Sequence, residues 1–375
     1  MSWRSCRLGD VLTLKRGHDL PEHSRQDGEV PVVSSSGITG YHKDAKATAP
    51  GVVTGRYGTL GEVFFLDRDY RPLNTALYVI DFKGNDPKFS AYFLKHALKD
   101  YQSNKAAVPG VDRNVLHELL VRAPNITTQL RIASILSTYD NLIENNRRRM
   151  ALLEESARLL YREWFVRLRF PGHEHTRIID GVPEGWERRT ALDAIQILSG
   201  GTPKTTVTDH WDGEIPFYTP KDAVDGVWVT DTERSITERG LNNCNSKLYP
   251  RETVFISARG TVGKLNIAQR PMAMSQSCYA LVAKSHLTQP FVFCAMQAAV
   301  DVLRQQAVGA VFDAIIVDTF KRIPLLVPSA SIARLFDENI QLVFQQVENL
   351  TLQNQKLRAA RDLLLPRLMS GEIAV

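Results

Sequence analysis

Long apolar runs are missing from these 375 residues: none approaches the roughly 18 that a membrane-crossing helix needs. The opening ten residues, Met1 to Asp10, contain no apolar segment of the kind that marks a secretory leader, so a cytoplasmic location is expected. Cysteine is scarce. Cys6, Cys244, Cys278 and Cys294 are separated by 238, 34 and 16 residues, a spacing that suits neither zinc ligands nor a redox pair. Buried or half-buried thiols in a reducing compartment are expected. Charge is nearly balanced as well: 46 Lys and Arg against 41 Asp and Glu leave +5, which admits a nucleic-acid partner without requiring one.

Catalytic patterns are also lacking. Gly263-Lys264 is followed by Leu265, and position 258 is Ala, so there is no Walker loop. Gly55, Gly58 and Gly61 are spaced by threes and read as strand-end turns rather than a dinucleotide loop. His173-Glu174-His175 are adjacent in sequence, which suits a solvated tract better than a metal site. No Asn-Pro-Pro-Tyr-type loop of an amino-group DNA methyltransferase is present, and nothing groups the scattered Asp and Glu into a nuclease centre.

What is present is a repeat. One globular stretch ends at Pro124, a second at Pro328, 204 residues later, and each is followed by a long helical pattern. The apolar seam of the first reads Ile132, Leu136, Tyr139, Ile143, Asn146, Met150, Leu153, Ala157, Leu160 and Trp164. That of the second reads Phe336, Ile340, Val343, Val347, Leu350, Asn354, Leu357, Arg361, Leu364 and Leu368. Steps of four and three alternate through both, the heptad of a coiled coil, and every position has its counterpart 204 residues on. Glu144-Asn145 returns as Glu348-Asn349. A helix of about 40 residues is about 60 Å long and cannot bury its seam alone. The two helices are therefore expected to pair antiparallel about a pseudo-twofold axis. Asn146 and Asn354 either fix register or mark a locally wet seam. Arg361 is a second polar break, facing a rim or a partner. Trp164, Phe165 and Leu159 are expected on exposed outer faces, leaving the isolated chain poorly soluble.

Each globular half mixes short strand patterns with Gly/Pro/Asn/Ser turns. The strands are expected at Val30–Val33, Val52–Thr54, Glu62–Leu66 and Leu77–Ile80, then at Val227–Val229, Thr253–Ile256 and Tyr279–Val282. Helices are expected at Ser90–Lys105 and Pro290–Gln306. The halves also match loosely: Gly58-Thr59-Leu60-Gly61 with Gly260-Thr261-Val262-Gly263, Asn74–Tyr78 with Ser275–Tyr279, and Ala107-Val108 with Ala307-Val308. The fold class is thus α/β (α+β), two copies, with an internal repeat. The expected division is a first domain 1–125, a first helix 126–170, a second domain 171–329, and a second helix with its tail 330–375.

Set in order, the motifs Gly185-Trp186-Glu187, Gly200-Gly201-Thr202-Pro203, Ile215-Pro216-Phe217, Gly260-Thr261-Val262-Gly263 and the closing Leu365-Pro366-Arg367-Leu368-Met369-Ser370-Gly371-Glu372-Ile373 resemble a Type I restriction–modification specificity subunit along essentially the whole chain. The closing run is the most specific element. One departure is that the first half carries Leu14-Lys15-Arg16-Gly17-His18-Asp19 where the second has its Gly-Gly-Thr-Pro loop.

The resemblance implies a non-catalytic subunit that reads a bipartite, asymmetric target in double-stranded DNA through two target-recognition domains. It also implies two methyltransferase subunits and two ATP-driven restriction/translocase subunits as partners, with S-adenosylmethionine, ATP and Mg bound by those partners and none by this chain. Base edges would be read by loop side chains, with Arg and Lys suited to guanine and Asn and Gln to adenine. Phosphate contacts would fix orientation. The candidates are Lys15, Arg16, Ser34, Ser35, Ser36, Arg56, Tyr57 and Arg113 in the first domain, and Thr202, Lys204, Tyr218, Thr219, Lys221, Arg259 and Gln276 in the second. The helices would act as a ruler setting half-site centres about one DNA turn, roughly 10 base pairs, apart. A coiled-coil adaptor without DNA recognition, and a chain serving another type of modification system, are the alternative readings.

Overall fold

The computed structural model describes residues 3–56, 61–103, 111–306 and 314–375. The chain divides into two compact units, Met1–Glu144 with Gln355–Val375, and Asn145–Asn354. Each unit therefore takes one globular half together with a stretch of each long helix.

The first unit is built on a four-stranded sheet in the order Thr13–Arg16, Ala76–Asp81, Gly51–Gly55, Val63–Leu66, antiparallel throughout. The strand Gly51–Gly55 is buried at every position, as a central strand covered on both faces should be. A three-stranded sheet runs Gly37–His42, Val30–Ser34, Arg71–Pro72, the last pair being parallel. Trp3–Arg7 pairs with Leu120–Pro124. Helix Pro87–Ser103 begins where Asp86 Oδ1 accepts the Phe89 N–H at 2.7 Å, with Pro87 in the first turn, where its missing N–H costs nothing. Its Phe89, Phe93, Leu94 and Leu98 close over Leu14, Val52, Leu77 and Val79.

The second unit repeats this strand order and adds one edge strand. Its main sheet runs Ile195–Ser199, Cys278–Ala283, Val254–Ser257, Leu265–Ala268, and then Trp228–Val229 in a parallel pairing. Ser235–Ile236, Trp211–Tyr218 and Ala273–Met274 form the three-stranded sheet, again ending in a parallel pair. Glu187–Thr190 pairs with Pro324–Val327, as Trp3–Arg7 does with Leu120–Pro124. Helix Gln289–Gln306 covers the sheet. The expected strands and both expected helices are found within a few residues of where the pattern put them, although Lys105 lies outside the described residues.

The long helices are Ile126–Tyr161, 36 residues, and Ala330–Ser370, 41 residues. The first starts at Asn125, whose Oδ1 accepts the Thr128 N–H at 3.0 Å. In the first unit Asp140 meets Arg361 at 2.5 Å, and Ile132 and Leu136 share a core with Leu365, Leu368 and Met369. In the second unit Asn146 meets Asn354 at 3.0 Å, Met150 meets Thr351 at 3.3 Å, and the Trp164 and Phe336 rings lie 5.8 Å apart. As the number rises on one helix it falls on the other, so within each unit the stretches run antiparallel. The seam residues Ile132, Leu136, Ile143, Val347 and Leu350 are buried, and Tyr139, Met150, Leu153, Leu160, Val343, Leu357 and Leu364 are half-buried. Asn146 and Asn354 are dry, 7% and 2% exposed, which removes the wet-seam reading.

Trp164 and Phe165 are not on an exposed face. After Tyr161 the helix widens into one turn, Arg162–Val166, with Arg167 N donating to Arg162 O at 2.9 Å. Both rings are buried, and Phe165 lies 4.8 Å from Phe336 and 5.1 Å from Phe291. A heptad read from two helices alone omits the globular part that covers their flank. Leu159 is 38% exposed, as expected.

The closing motif has a physical reading too. Leu365, Leu368 and Met369 are buried in the first unit's core, and Arg367 pairs with Glu372 at 2.7 Å. Gly371 ends the helix at φ +78° in the left-handed region, where a Cβ would also strike Trp3. The four cysteines are free thiols. Cys278 and Cys294 are buried, and burial pushes both up to about 12.

Candidate nucleic-acid interface

In each unit the loops that follow the sheet strands are tied together by backbone bonds. In the first, His18 N donates to Pro72 O at 2.8 Å, Leu73 N to Val33 O at 2.8 Å, Arg56 N to Thr75 O at 3.0 Å, and Val111 N to Arg56 O at 3.0 Å. Four separate stretches (17–19, 33–36, 73–75 and 111–113) are thereby gathered around Arg56. The second unit uses the counterpart bonds: Gly201 N to Met274 O at 3.1 Å, Ser275 N to Tyr218 O at 2.8 Å, Ala258 N to Ser277 O at 2.8 Å, and Ile315 N to Ala258 O at 2.9 Å.

The glycine of each first loop is required by closeness. A Cβ on Gly17 would sit 2.2 Å from Leu73 O, and one on Gly200 2.2 Å from Ser275 O. Despite the missing Gly-Gly-Thr-Pro, Gly17 thus does for the first half what Gly200 does for the second. A Cβ on Gly201 would sit 2.5 and 2.7 Å from the amide nitrogens of Asn245 and Ser246, and Ser246 Oγ accepts the Met274 N–H at 3.0 Å. The Gly260-Thr261-Val262-Gly263 loop turns on two left-handed glycines, φ +78° and +77°, and Thr261 Oγ1 donates to Pro220 O at 2.9 Å. Of its first-half counterpart, Gly58-Thr59-Leu60-Gly61, only Gly61 is described, and it too is left-handed, at φ +92°; the candidate Tyr57 lies outside the described residues, as do Ala107-Val108 and Ala307-Val308.

The structure sorts the candidates. Lys15 and Arg16 are exposed on the strand opposite Tyr78 and Leu77, and Arg113 is exposed at the head of a short helix that Asp112 caps. Ser36 is exposed and Ser35 half-buried. Ser34 is 8% exposed, and its Oγ accepts the Ser36 N–H at 3.1 Å, so its role is to shape the turn. Arg56 is half-buried.

Lys204, Lys221, Arg259 and Gln276 are exposed, and the side chains of Lys204, Lys221 and Arg259 form no hydrogen bond or ion pair with another described residue. Thr202 is half-buried, as is Thr219, whose N–H and Oγ1 both donate to Asp222, at 2.8 and 2.6 Å. Tyr218 must be corrected. It is fully buried, its hydroxyl donates to Asn266 Oδ1 at 3.0 Å, and burial raises its pKa, so the side chain belongs to the core and not to a reading surface.

Residues that sequence reasoning passed over join the same surfaces. His18 is half-buried beside the first cluster. Burial lowers its pKa, and Lys15, Arg71 and Lys46 push it in the same direction, the mark of a locally positive field. Exposed Asn245 and buried Ser246 come up against Gly201 in the second unit. Their distance along the chain hid them; a polar Asn-Ser-Lys turn was the only signal. Among the described residues no group of three His, Cys, Asp or Glu is placed to hold a metal, and no helix is long and apolar enough to cross a membrane.

The family described as the Type I restriction modification DNA specificity domain matches residues 2–155 and 183–360. The chain is 22% identical to the specificity subunit of the Type I restriction enzyme HindI of Haemophilus influenzae, over 84% of each chain. It is 25% identical to the MjaIX specificity subunit of Methanocaldococcus jannaschii, over 76% of this chain and 68% of that one. Among solved structures, the S subunit of a Type-I restriction-modification system from M. genitalium superposes with a TM-score of 0.59 at 17% identity, over 98% of this chain and 96% of that one, a likeness of fold.

Proposed function

The chain belongs to the Type I restriction–modification DNA specificity family, and from that premise we propose that its two loop clusters read the two halves of one split, asymmetric DNA target. The observation that carries this reading is the bond-for-bond repetition of the loop scaffold under different side chains. Arg56 occupies the place of Ala258, and Lys15-Arg16 precede Gly17 where Leu198-Ser199 precede Gly200. One frame presenting two different sets of donors suits two different base sequences.

On this reading residues 1–125 and 171–329 are the recognition domains, and residues 126–170 and 330–375 form an antiparallel coiled coil relating the halves as a pseudo-twofold repeat. Its fixed length sets the spacing of the half-sites. Lys15, Arg16, Arg113, Lys204, Lys221 and Arg259 hold phosphates or guanine edges, and Gln276 suits adenine. The chain carries no catalysis of its own. It scaffolds two methyltransferase and two restriction subunits, which bind S-adenosylmethionine, ATP and Mg.

The test is co-expression with a methyltransferase subunit, purification of the complex, and methylation mapping of the host DNA. A bipartite motif with methyladenine on opposite strands is expected. A stable complex with no methylated motif would instead favour an adaptor. Seven residues inserted into one helix alone should change the spacer preference, and an unchanged spacer would refute the ruler.

A further inference from the structure

The two seams are alike at most positions but differ where polar side chains interrupt them, and those interruptions meet each other. Asn146 Nδ2 donates to Asn354 Oδ1 at 3.0 Å in the dry centre of the seam. Asp140 accepts from Arg361 at 2.5 Å and from the Tyr92 hydroxyl. The repeat shows what a half would meet if it paired with a second copy of itself in the same antiparallel frame. The counterpart of Asn354 in the first half is Met150, and that of Arg361 is Ala157. The counterpart of Asn146 in the second half is Leu350, and that of Asp140 is Phe344.

First half against first half would therefore set Asn146 against Met150 and Asp140 against Ala157. Second half against second half would set Asn354 against Leu350 and Arg361 against Phe344. Each pairing would lose the bond between the two Asn side chains and set Asn against Met or Leu. The first would leave Asp140 with only the Tyr92 hydroxyl, and the second would leave Arg361 with only Asp362 of its own helix, bonded at 2.9 and 2.8 Å. Within the second unit the counterpart place is already apolar: Phe293 and Phe344 stand edge to face at 5.5 Å, and Ala157 is buried.

We propose that this seam is a hetero-pairing code: it accepts the other half of the chain and rejects a second copy of the same half. A buried polar residue at one heptad position specifies pairing at a cost in stability, and an unpaired one adds the full desolvation penalty of the stranded group. The dry Asn pair contributes most. The Asp140–Arg361 pair, 38% and 19% exposed, contributes less because water reaches it.

The intact chain can display each rejected pairing without being cut. Take Tyr92→Phe as the common background, so that the tyrosine hydroxyl is never stranded. Adding Asp140→Phe and Asn146→Leu gives the first helix the side chains of the second, reproducing the second half against itself. Adding Asn354→Met and Arg361→Ala reproduces the first half against itself. All four together restore matched partners, Leu against Met and Phe against Ala. Thermal unfolding should place both two-site chains below the background by on the order of 5 °C, and the four-site chain at or above it. Failure of a two-site chain to fold, with the four-site chain folded, is the same result in stronger form. Two-site chains as stable as the background, or a four-site chain no better than they are, would overturn the code. The readout is stability alone, so failure of the DNA-reading assignment would not alter it.

Discussion

Arg251 and Glu348 offer the sharpest test of how the second domain is held to its helix. The guanidinium grips the carboxylate with two bonds, 2.7 and 2.8 Å, and Gln269 Nε2 adds a third at 3.1 Å. Glu348 is 7% exposed. Beneath the pair, Trp228 Nε1 donates to Phe344 O at 2.9 Å. Arg251→Ala leaves the buried carboxylate with Gln269 alone. Breaking a fully buried pair costs about 3–5 kcal/mol. The Arg251 side chain is 43% exposed, so water screens the interaction and a loss of about 2 kcal/mol is expected.

Glu348→Gln in the Arg251→Ala background should recover part of that loss, because the stranded charge is gone. The pH dependence has a definite sign. The bond from Arg251 is the largest of the influences that hold the Glu348 carboxyl below its ordinary 4.5. A carboxyl so lowered adds stability above its unfolded value and loses it as pH falls through the folded one. In Arg251→Ala the carboxyl stays buried without the guanidinium, and burial raises it, so the gap between wild type and mutant should be constant near neutrality and shrink as pH falls from the mutant's raised value through the wild type's lowered one. Urea unfolding followed by tryptophan fluorescence across that range measures it. A gap under about 0.5 kcal/mol at neutral pH, the scale of an exposed pair, or one unchanged at the acid end, would refute the reasoning.

Lys204, Lys221 and Arg259, exposed on one loop cluster, should act through phosphates: replacing all three by Ala should leave unfolding unchanged and lower the slope of log affinity against log salt by up to about 3 for DNA bound by the assembled complex. An unchanged slope would take these residues out of the interface. Gly17→Ala and Gly200→Ala each push a Cβ to 2.2 Å from a backbone oxygen, so each should cost at least about 2 kcal/mol or yield insoluble protein; full stability in either would mean the loops are not closed as described. Tyr218→Phe should cost about 1 kcal/mol through the lost bond to Asn266 and leave the DNA preference as it was. A changed preference, read by methylation mapping, would return Tyr218 to the reading surface.

Periodicity and repetition were enough to place the long helices, their seams and the mixed α/β halves, because these depend on where apolar side chains recur along the chain. Alternation marked the strands, and the closing Leu-Pro-Arg-Leu-Met-Ser-Gly-Glu run pointed to the family before any of its packing was known. The recognition surface was only partly legible. Exposed Lys204, Lys221 and Arg259 stand out in a loop by their type, but Ser34 and Tyr218 look equally eligible until burial withdraws them. Lys46 and Arg71 carried no local sign of their place near His18.

Composition and spacing, then, determined that this is a twice-repeated protein with two heptad helices and no recognisable catalytic motif, because those properties are written in residue order. Tertiary structure alone decided that Asn146 faces Asn354, that Asp140 faces Arg361, that Trp164 and Phe165 turn inward under Phe291 and Phe336, and that Gly17 stands in for Gly200. Each of these depends on residues far apart in sequence being brought to contact distance, and pairing across such gaps is settled by the packing of the whole unit rather than by any local pattern.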